Sequence, residues 1–299
     1  MIRIKRLDIA LTTLCNFTCS YCRGNPGERK IIPYGEAIRI IDNFSELGVK
    51  SIRLDGGEPF LYGEDIFRIM EYAGKKGMEV GIFTNASLIN EDIAKKISLQ
   101  PNVTLYITLH ILNKEQELEA TLKGLREIAK YNIAAELILI VSKKSLSKLF
   151  VSIKKIPDYN YKIIFRPIIP IGKAFENMAE GYASLNEEDL NEFEVILKEI
   201  KEQFGRFEIV NEITSLHEKK DGYHNRKDGF VLHVNTNSEL LPSFAAGKSK
   251  FLGSALDIEG IKEKLADSKC LEYLLNADRA VLNRINGEEI PLQPNINLI

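Results

Sequence analysis

Leu7-Asp-Ile-Ala-Leu-Thr-Thr-Leu-Cys-Asn-Phe-Thr-Cys-Ser-Tyr-Cys22 sets three cysteines, Cys15, Cys19 and Cys22, directly behind a short apolar run. The run at 6–12 reads as a strand, and the rest of the chain says of what kind. Further apolar runs at 49–54, 79–84, 103–109, 133–141 and 161–166 alternate with amphipathic stretches at 34–47, 63–76, 90–98, 115–131 and 145–154, and a sixth helix is expected at 186–204. That alternation marks a parallel sheet wrapped by helices. Six such units predict an α/β fold, a partial (βα)6 TIM-like barrel that stays open. Right-handed crossovers then put every strand's carboxyl end, and with them the cysteines, on one rim. Asn90 and Asn186 stand where helix N-caps are needed, each followed by acidic residues.

After Phe204-Gly205 the pattern changes to short strands and turns, with a strand at 230–234 and helices near 258–266 and 270–277. Asn286-Gly287 between apolar flanks signals a hairpin. The expected domains are therefore 1–204, the barrel, and 205–299, a small α+β C-terminal cap. A chain of 299 residues has room for both. With 44% hydrophobic and 27% charged residues it has an ordinary globular composition, and no apolar run approaches the roughly 20 residues of a membrane span. A formal charge of −2 gives no global attraction to nucleic acid or anionic lipid, so neither is expected as a partner.

Of four cysteines, three fall within eight residues, which suits a metal site in a reducing cytoplasm better than disulfides. Thiolates favour iron–sulfur clusters, and three thiolates on a four-iron cubane leave one iron open. An open coordination position is what separates a reactive centre from a structural one. A zinc knuckle would need a fourth ligand nearby, but the nearest histidine is His110 and the fourth cysteine is Cys270.

Cys-x3-Cys-x2-Cys with Tyr21 before the last cysteine resembles the cluster loop of the radical S-adenosylmethionine (SAM) superfamily, over the chain to about residue 175. The resemblance implies one [4Fe–4S] cluster on Cys15, Cys19 and Cys22. It also implies reductive cleavage of SAM to a 5′-deoxyadenosyl radical, and a cellular reductant such as flavodoxin or ferredoxin. Leu54-Asp-Gly-Gly-Glu-Pro59 is similar to the family's GGEP motif, which implies that Gly56, Gly57 and Glu58 contact the SAM amino group. Tyr21, Asn85, Thr108 and His110 are further cofactor contacts by the same comparison. Two departures stand out: Ala86 where relatives carry glycine, and His110 where they carry an acid. His110 is read either as a ribose or substrate contact or catalytic proton donor, or as a rim residue bonded to its neighbours.

Phe165-Arg-Pro-Ile-Ile-Pro-Ile-Gly172 resembles the sixth strand of the molybdopterin-precursor cyclase and peptide-maturase branches. Arg166 there would either bind a substrate anion or pair with a rim acid. In the SPASM and twitch branches the cap holds auxiliary clusters; here Ser243 stands where a cysteine would fall and only Cys270 remains, so a metal-free, degenerate twitch-like cap is expected. A cap with polar His233, Asn235 and Asn237 suits closure over a compact small molecule, nucleoside- or nucleotide-like, with Arg166 or Lys143 holding an anion. A lyase of modified-nucleobase or deazapurine salvage is one such enzyme. The alternatives are a maturase of a ribosomally made peptide and a non-enzymatic iron–sulfur redox sensor.

Overall fold

Alternation along the first strand explains the architecture. Leu7, Ile9 and Leu11 are fully buried on one face, while Arg6, Asp8, Ala10 and Thr12 occupy the other. The next strand repeats the pattern with Ile52 and Leu54 outward and Arg53 and Asp55 inward. One face must therefore meet helices and the other a polar interior. The computed structural model describes residues 3–24, 29–112, 114–169, 171–213, 230–242, 252–267, 270 and 274, and shows this arrangement.

The strands are β1 (Ile4–Thr12), β2 (Ser51–Gly56), β3 (Glu79–Thr84), β4 (Val103–Thr108), β5 (Ala135–Val141) and β6 (Lys162–Pro167), and the helices between them are α1 (Tyr34–Glu46), α2 (Asp65–Lys75), α3 (Glu91–Ser98), α4 (Glu115–Lys130) and α5 (Leu146–Lys154). A short helix α6 (Lys173–Glu176) precedes the long α7 (Glu187–Gln203). The expected six strands and six helices fall where they were read, with ends displaced by up to two residues. The helices bury Ile40, Ile41, Phe44, Ile66, Ile69 and Leu125 against the outer face of the sheet. Each such side chain contributes about 1.5–3 kcal/mol. Asn90 caps α3 by accepting from the Ile93 amide at 3.0 Å, and Asn186 and Asp189 exchange capping bonds at 2.8 and 3.2 Å.

The sheet runs past the six strands at both edges. β7 (Glu208–Asn211) adds parallel to β6, and β8 (Phe230–Val234) adds parallel to β1, extended by β9 (Glu239–Leu241) and β10 (Gly253–Ser254) in antiparallel pairing. One ten-stranded sheet results, in the order β10-β9-β8-β1-β2-β3-β4-β5-β6-β7. The boundary expected near residue 205 falls in the turn between α7 and β7, and the strands beyond it join the same sheet. Helix α8 (Ile258–Ala266) matches the first helix expected in the cap. Ser243 and the Asn286-Gly287 hairpin lie outside the described residues, as does the helix near 270–277 apart from Cys270 and Leu274. Among the described residues no helix is long and apolar enough to cross a membrane.

Candidate active site at the rim of the barrel

Beyond β1 the chain must turn sharply, and Thr12 organises the turn. Its hydroxyl donates to the Lys30 carbonyl at 3.1 Å and accepts from the Leu14 amide at 3.0 Å, while the Thr13 and Ile32 amides pair with the Lys30 and Leu11 carbonyls at 2.9 Å. The returning segment so fixed makes residues 13–24 a loop over the rim. Its thiols differ in access: Cys15 is exposed, Cys22 half-buried and Cys19 buried. The Phe17 amide donates to Cys15 Sγ at 3.4 Å and the Gly24 amide to Cys22 Sγ at 3.3 Å, the kind of donor that stabilises thiolate charge. Among the described residues no three His, Cys, Asp or Glu side chains converge on a single-ion site. A cubane makes no such demand, because each thiolate binds a different iron, and an all-thiolate donor set suits it.

The glycine pair has a structural task that its motif does not announce. The Gly57 amide donates to the Thr12 carbonyl and the Glu58 amide to the Leu14 carbonyl, both at 2.7 Å, which stitches the end of β2 to the cysteine loop. Gly56 has φ of +118°, and a Cβ there would fall on the Thr12 carbonyl oxygen; a Cβ on Gly57 would fall on that of Leu14. Glycine is thus required for backbone to approach backbone.

Glu58 is 1% exposed, and its carboxylate accepts from the Phe60 amide at 3.2 Å, the Thr84 hydroxyl at 2.8 Å and the Asn85 amide at 2.9 Å. Burial pushes its pKa up to about 7 against the pull of those donors. Asn85 reaches back to the cysteine loop, donating to Asn16 Oδ1 at 2.9 Å, while its own Oδ1 accepts from the Ser87 hydroxyl at 2.6 Å. Cysteine loop, glycine loop and the end of β3 are therefore one hydrogen-bonded unit. Ala86, in the place of the family's glycine, has φ of +57° and is fully buried beside α4.

His110 belongs to the same unit. Its Nδ1 lies 2.6 Å from the Tyr21 hydroxyl and 3.4 Å from Cys19 Sγ, and Phe17 meets its ring edge-on at 5.2 Å. Burial holds its pKa down at about 4, so the imidazole is neutral at pH 7. Tyr21 is further stacked on Tyr182, with ring centroids 6.3 Å apart. Of the two readings of His110, these contacts serve the rim residue bonded to its neighbours. Thr108 is half-buried at the end of β4, on the inner face.

The expected substrate contacts have partners within the protein. Arg166 forms a two-point ion pair with Glu212, at 2.7 and 3.1 Å, and Lys143 lies 3.3 Å from Asp189. Asn235 is occupied inside the β8–β9 turn, where it accepts from the Asn237 and Glu239 amides at 2.9 and 3.1 Å and donates to the Glu239 carboxylate at 2.8 Å. His233 faces inward, its Nδ1 3.7 Å from Asp8. Burial lowers its pKa to about 4. Burial alone would raise the Asp8 carboxyl, but His233 and Arg6 outweigh it and hold the group below its ordinary value.

Sequence reasoning missed the inner wall itself. Arg6, Asp8, Arg53, Asp55 and Tyr106 all fall on the inward face of β1, β2 and β4. The available signal was the charges alternating with Leu7, Ile52 and Leu54 in strands that should be buried on both sides.

Residues 9–162 match the family model described as the Radical SAM superfamily. The chain is 29% identical over 184 residues to the AdoMet-dependent heme synthase of Methanosarcina barkeri (strain Fusaro / DSM 804), covering 56% of this chain and 51% of the relative. It is 30% identical over 146 residues to the GTP 3′,8-cyclase of Aliarcobacter butzleri (strain RM4018), covering 44% and 45%. The match thus spans about half the length of these two relatives. The solved structure of native anSMEcpe with bound AdoMet superposes with a TM-score of 0.74 at 18% identity, over 98% of this chain and 93% of that one. A family match across more than half of the residues, beginning on β1 and running through the cysteine and glycine loops, makes this chain a member of the radical SAM superfamily, whose enzymes use a [4Fe–4S] cluster and SAM.

Proposed function

We propose that this protein carries out radical SAM chemistry on a compact polar substrate, nucleoside- or nucleotide-like, held against the inner wall of the barrel below the cysteine loop. The observation that carries the reading is the single hydrogen-bonded unit formed by the cysteine loop, Gly57-Glu58 and Thr84-Asn85 above a charged interior. Relatives named as GTP cyclases support a nucleotide-sized substrate.

Cys15, Cys19 and Cys22 would hold the [4Fe–4S] cluster, and the donor set fits it. When bound, the cluster supplies the electron that splits SAM and so starts hydrogen abstraction. The chain's own part is positioning. Phe17 and Gly24 amides brace two of the sulfurs, Gly57 and Glu58 amides fix the height of the loop, and Tyr21, aligned by His110 and Tyr182, closes one side. We assign His110 to positioning Tyr21 and Cys19 rather than to proton donation. Gly56, Gly57, Asn85 and Thr108 would supply the contacts to SAM. Cleavage or rearrangement of the substrate fits this site, with a lyase of modified-nucleobase salvage as the working case. A flavodoxin or ferredoxin in the cytoplasm would serve as reductant.

The test is substrate-dependent 5′-deoxyadenosine formation by the anaerobically reconstituted, reduced protein. Stimulation by a member of a nucleoside, nucleotide and modified-base panel supports the reading. Stimulation by precursor peptides alone would replace it with peptide maturation.

A further inference from the structure

Charges on the inner wall are mostly matched. Arg6 holds Asp8 at 2.6 Å, Lys162 lies 3.3 Å from Glu136, and Arg166 holds Glu212 at 2.7 Å. Arg53 and Asp55 break the pattern. They stand two residues apart on the same face of β2, about 6.6 Å along the strand. Among the described residues neither makes an ion pair, and the Asp55 carboxylate takes no hydrogen bond.

Opposite charges so placed would ordinarily pair, since an arginine is long enough to reach. Arg53 is instead laid across β3. Its guanidinium carbon lies 5.0 Å from the centre of the Phe83 ring and 4.5 Å from that of Tyr106, and these two rings stack at 5.1 Å. Gly81 makes the crossing possible: a Cβ there would meet the Tyr106 ring at 2.8 Å and Arg53 Cγ at 3.0 Å. Cation–π contact then holds the guanidinium flat beside the Tyr106 hydroxyl and within reach of the Asp8 charge, and a guanidinium's five N–H donors exceed what these two neighbours use. Asp55 directly precedes Gly56, and so sits where the inner wall meets the SAM-side loop.

We propose that Arg53 and Asp55 form a two-point recognition site for a zwitterionic group of the substrate, with Asp55 accepting from an ammonium or amino nitrogen and Arg53 donating to a carboxylate. The inference rests on the reading that the substrate lies against the inner wall. Two opposite charges held apart by ring clamps form a gap that a ligand of matching dipole fills without moving either group. Asp8 beside Arg53 and Asp55 beyond it disfavour a polyanion in the same place, so of the substrates proposed above this part of the wall suits a nucleoside-like molecule rather than a nucleotide's phosphates. Burial, and then the charge of Asp8, push the Asp55 pKa up to about 7 against the pull of Arg23, Arg6 and Arg53, the behaviour of a buried carboxylate with no cation in direct contact.

The experiment is saturation-transfer NMR on the reconstituted protein with SAM at about pH 8, where Asp55 is ionised. The probes are L-phenylalanine, phenethylamine and 3-phenylpropionate, which share a ring and differ only in charge. The wild type is expected to bind phenylalanine about tenfold more tightly than either singly charged probe, the worth of one charge-assisted contact. Asp55→Asn should erase the preference over 3-phenylpropionate, Arg53→Gln the preference over phenethylamine, and Asp55→Glu should retain part of it, which separates loss of charge from loss of fold. No saturation transfer to phenylalanine in the wild type, or an undiminished preference in Asp55→Asn, overturns the site. Either result alongside intact deoxyadenosine formation leaves the proposed function standing, whereas stimulation by peptides alone removes both.

Discussion

Gly57 shows how one residue can be recognised for one reason and required for another. Its motif is legible in Leu54-Asp-Gly-Gly-Glu-Pro59, and the resemblance alone assigns it to the cofactor. The carbonyls of Leu14 and Thr13 that crowd it come from the loop behind β1, and nothing local in the sequence announces them. The consequence is measurable. Gly57→Ala should displace the Leu14 carbonyl and with it Cys15, so iron bound per chain after reconstitution should fall well below that of the wild type. Normal iron with weakened SAM binding would instead assign Gly57 to the cofactor alone. Asp55 gives a second prediction. Its folded-state carboxyl titrates at about 7 against an ordinary 3.8, so the folded state binds the extra proton and the wild type loses stability as pH rises through that window. Asp55→Asn has no such loss. Its melting midpoint should exceed the wild type's at pH 8 by about 2–4 °C for each kcal/mol relieved, with the difference vanishing below the ordinary carboxyl pKa. A lower midpoint at pH 8 would mean that Asp55 has a partner in the folded protein. Stabilisation by removing a site residue is the usual sign that the residue is kept for function.

At the level of elements, α4 is fitted to the strained end of β3. Ala86 occupies the left-handed region, which costs an L-residue about 1–2 kcal/mol, and Gly124 on α4 is the opening that receives its carbonyl. Ala86→Gly should therefore stabilise the protein by up to about 1 kcal/mol in urea unfolding. Gly124→Ala should cost about 1–3 kcal/mol even though alanine is the better helix former, because its Cβ would fall on the Ala86 carbonyl oxygen. A Gly124→Ala variant as stable as the wild type would show that α4 can back away from β3. Elements with strong periodicity were readable in the sequence, as α3 and α7 show with their capping asparagines. β7 was not, since Glu208–Asn211 offers only Ile209-Val210 as an apolar signal. Its existence depends on β6, which no local pattern reports.

At the scale of the whole molecule, the same limit explains the C-terminal region. The strand at 230–234 was legible, but its partner was not: β8 lies beside β1, more than 200 residues earlier, with His233 opposite Asp8 in the register. Asn43 to the Ala255 carbonyl and Ser238 to Glu36, at 3.0 and 2.7 Å, tie this edge to α1 as well. The cysteine triad could be read because its chemistry is local, three thiols in eight residues. The inner wall could not, because it is assembled from single residues of many strands. Arg166, read either as an anion site or as the partner of a rim acid, finds Glu212 only through the fold.

The central claim is that this rim starts radical chemistry from SAM, and the direct measurement is 5′-deoxyadenosine formed from SAM by the anaerobically reconstituted, dithionite-reduced protein. The wild type should produce it slowly without substrate, and a Cys19→Ser variant prepared in the same way should produce none. Wild-type protein carrying a complete [4Fe–4S] cluster and forming no deoxyadenosine, or a Cys19→Ser variant forming as much as the wild type, would contradict the account.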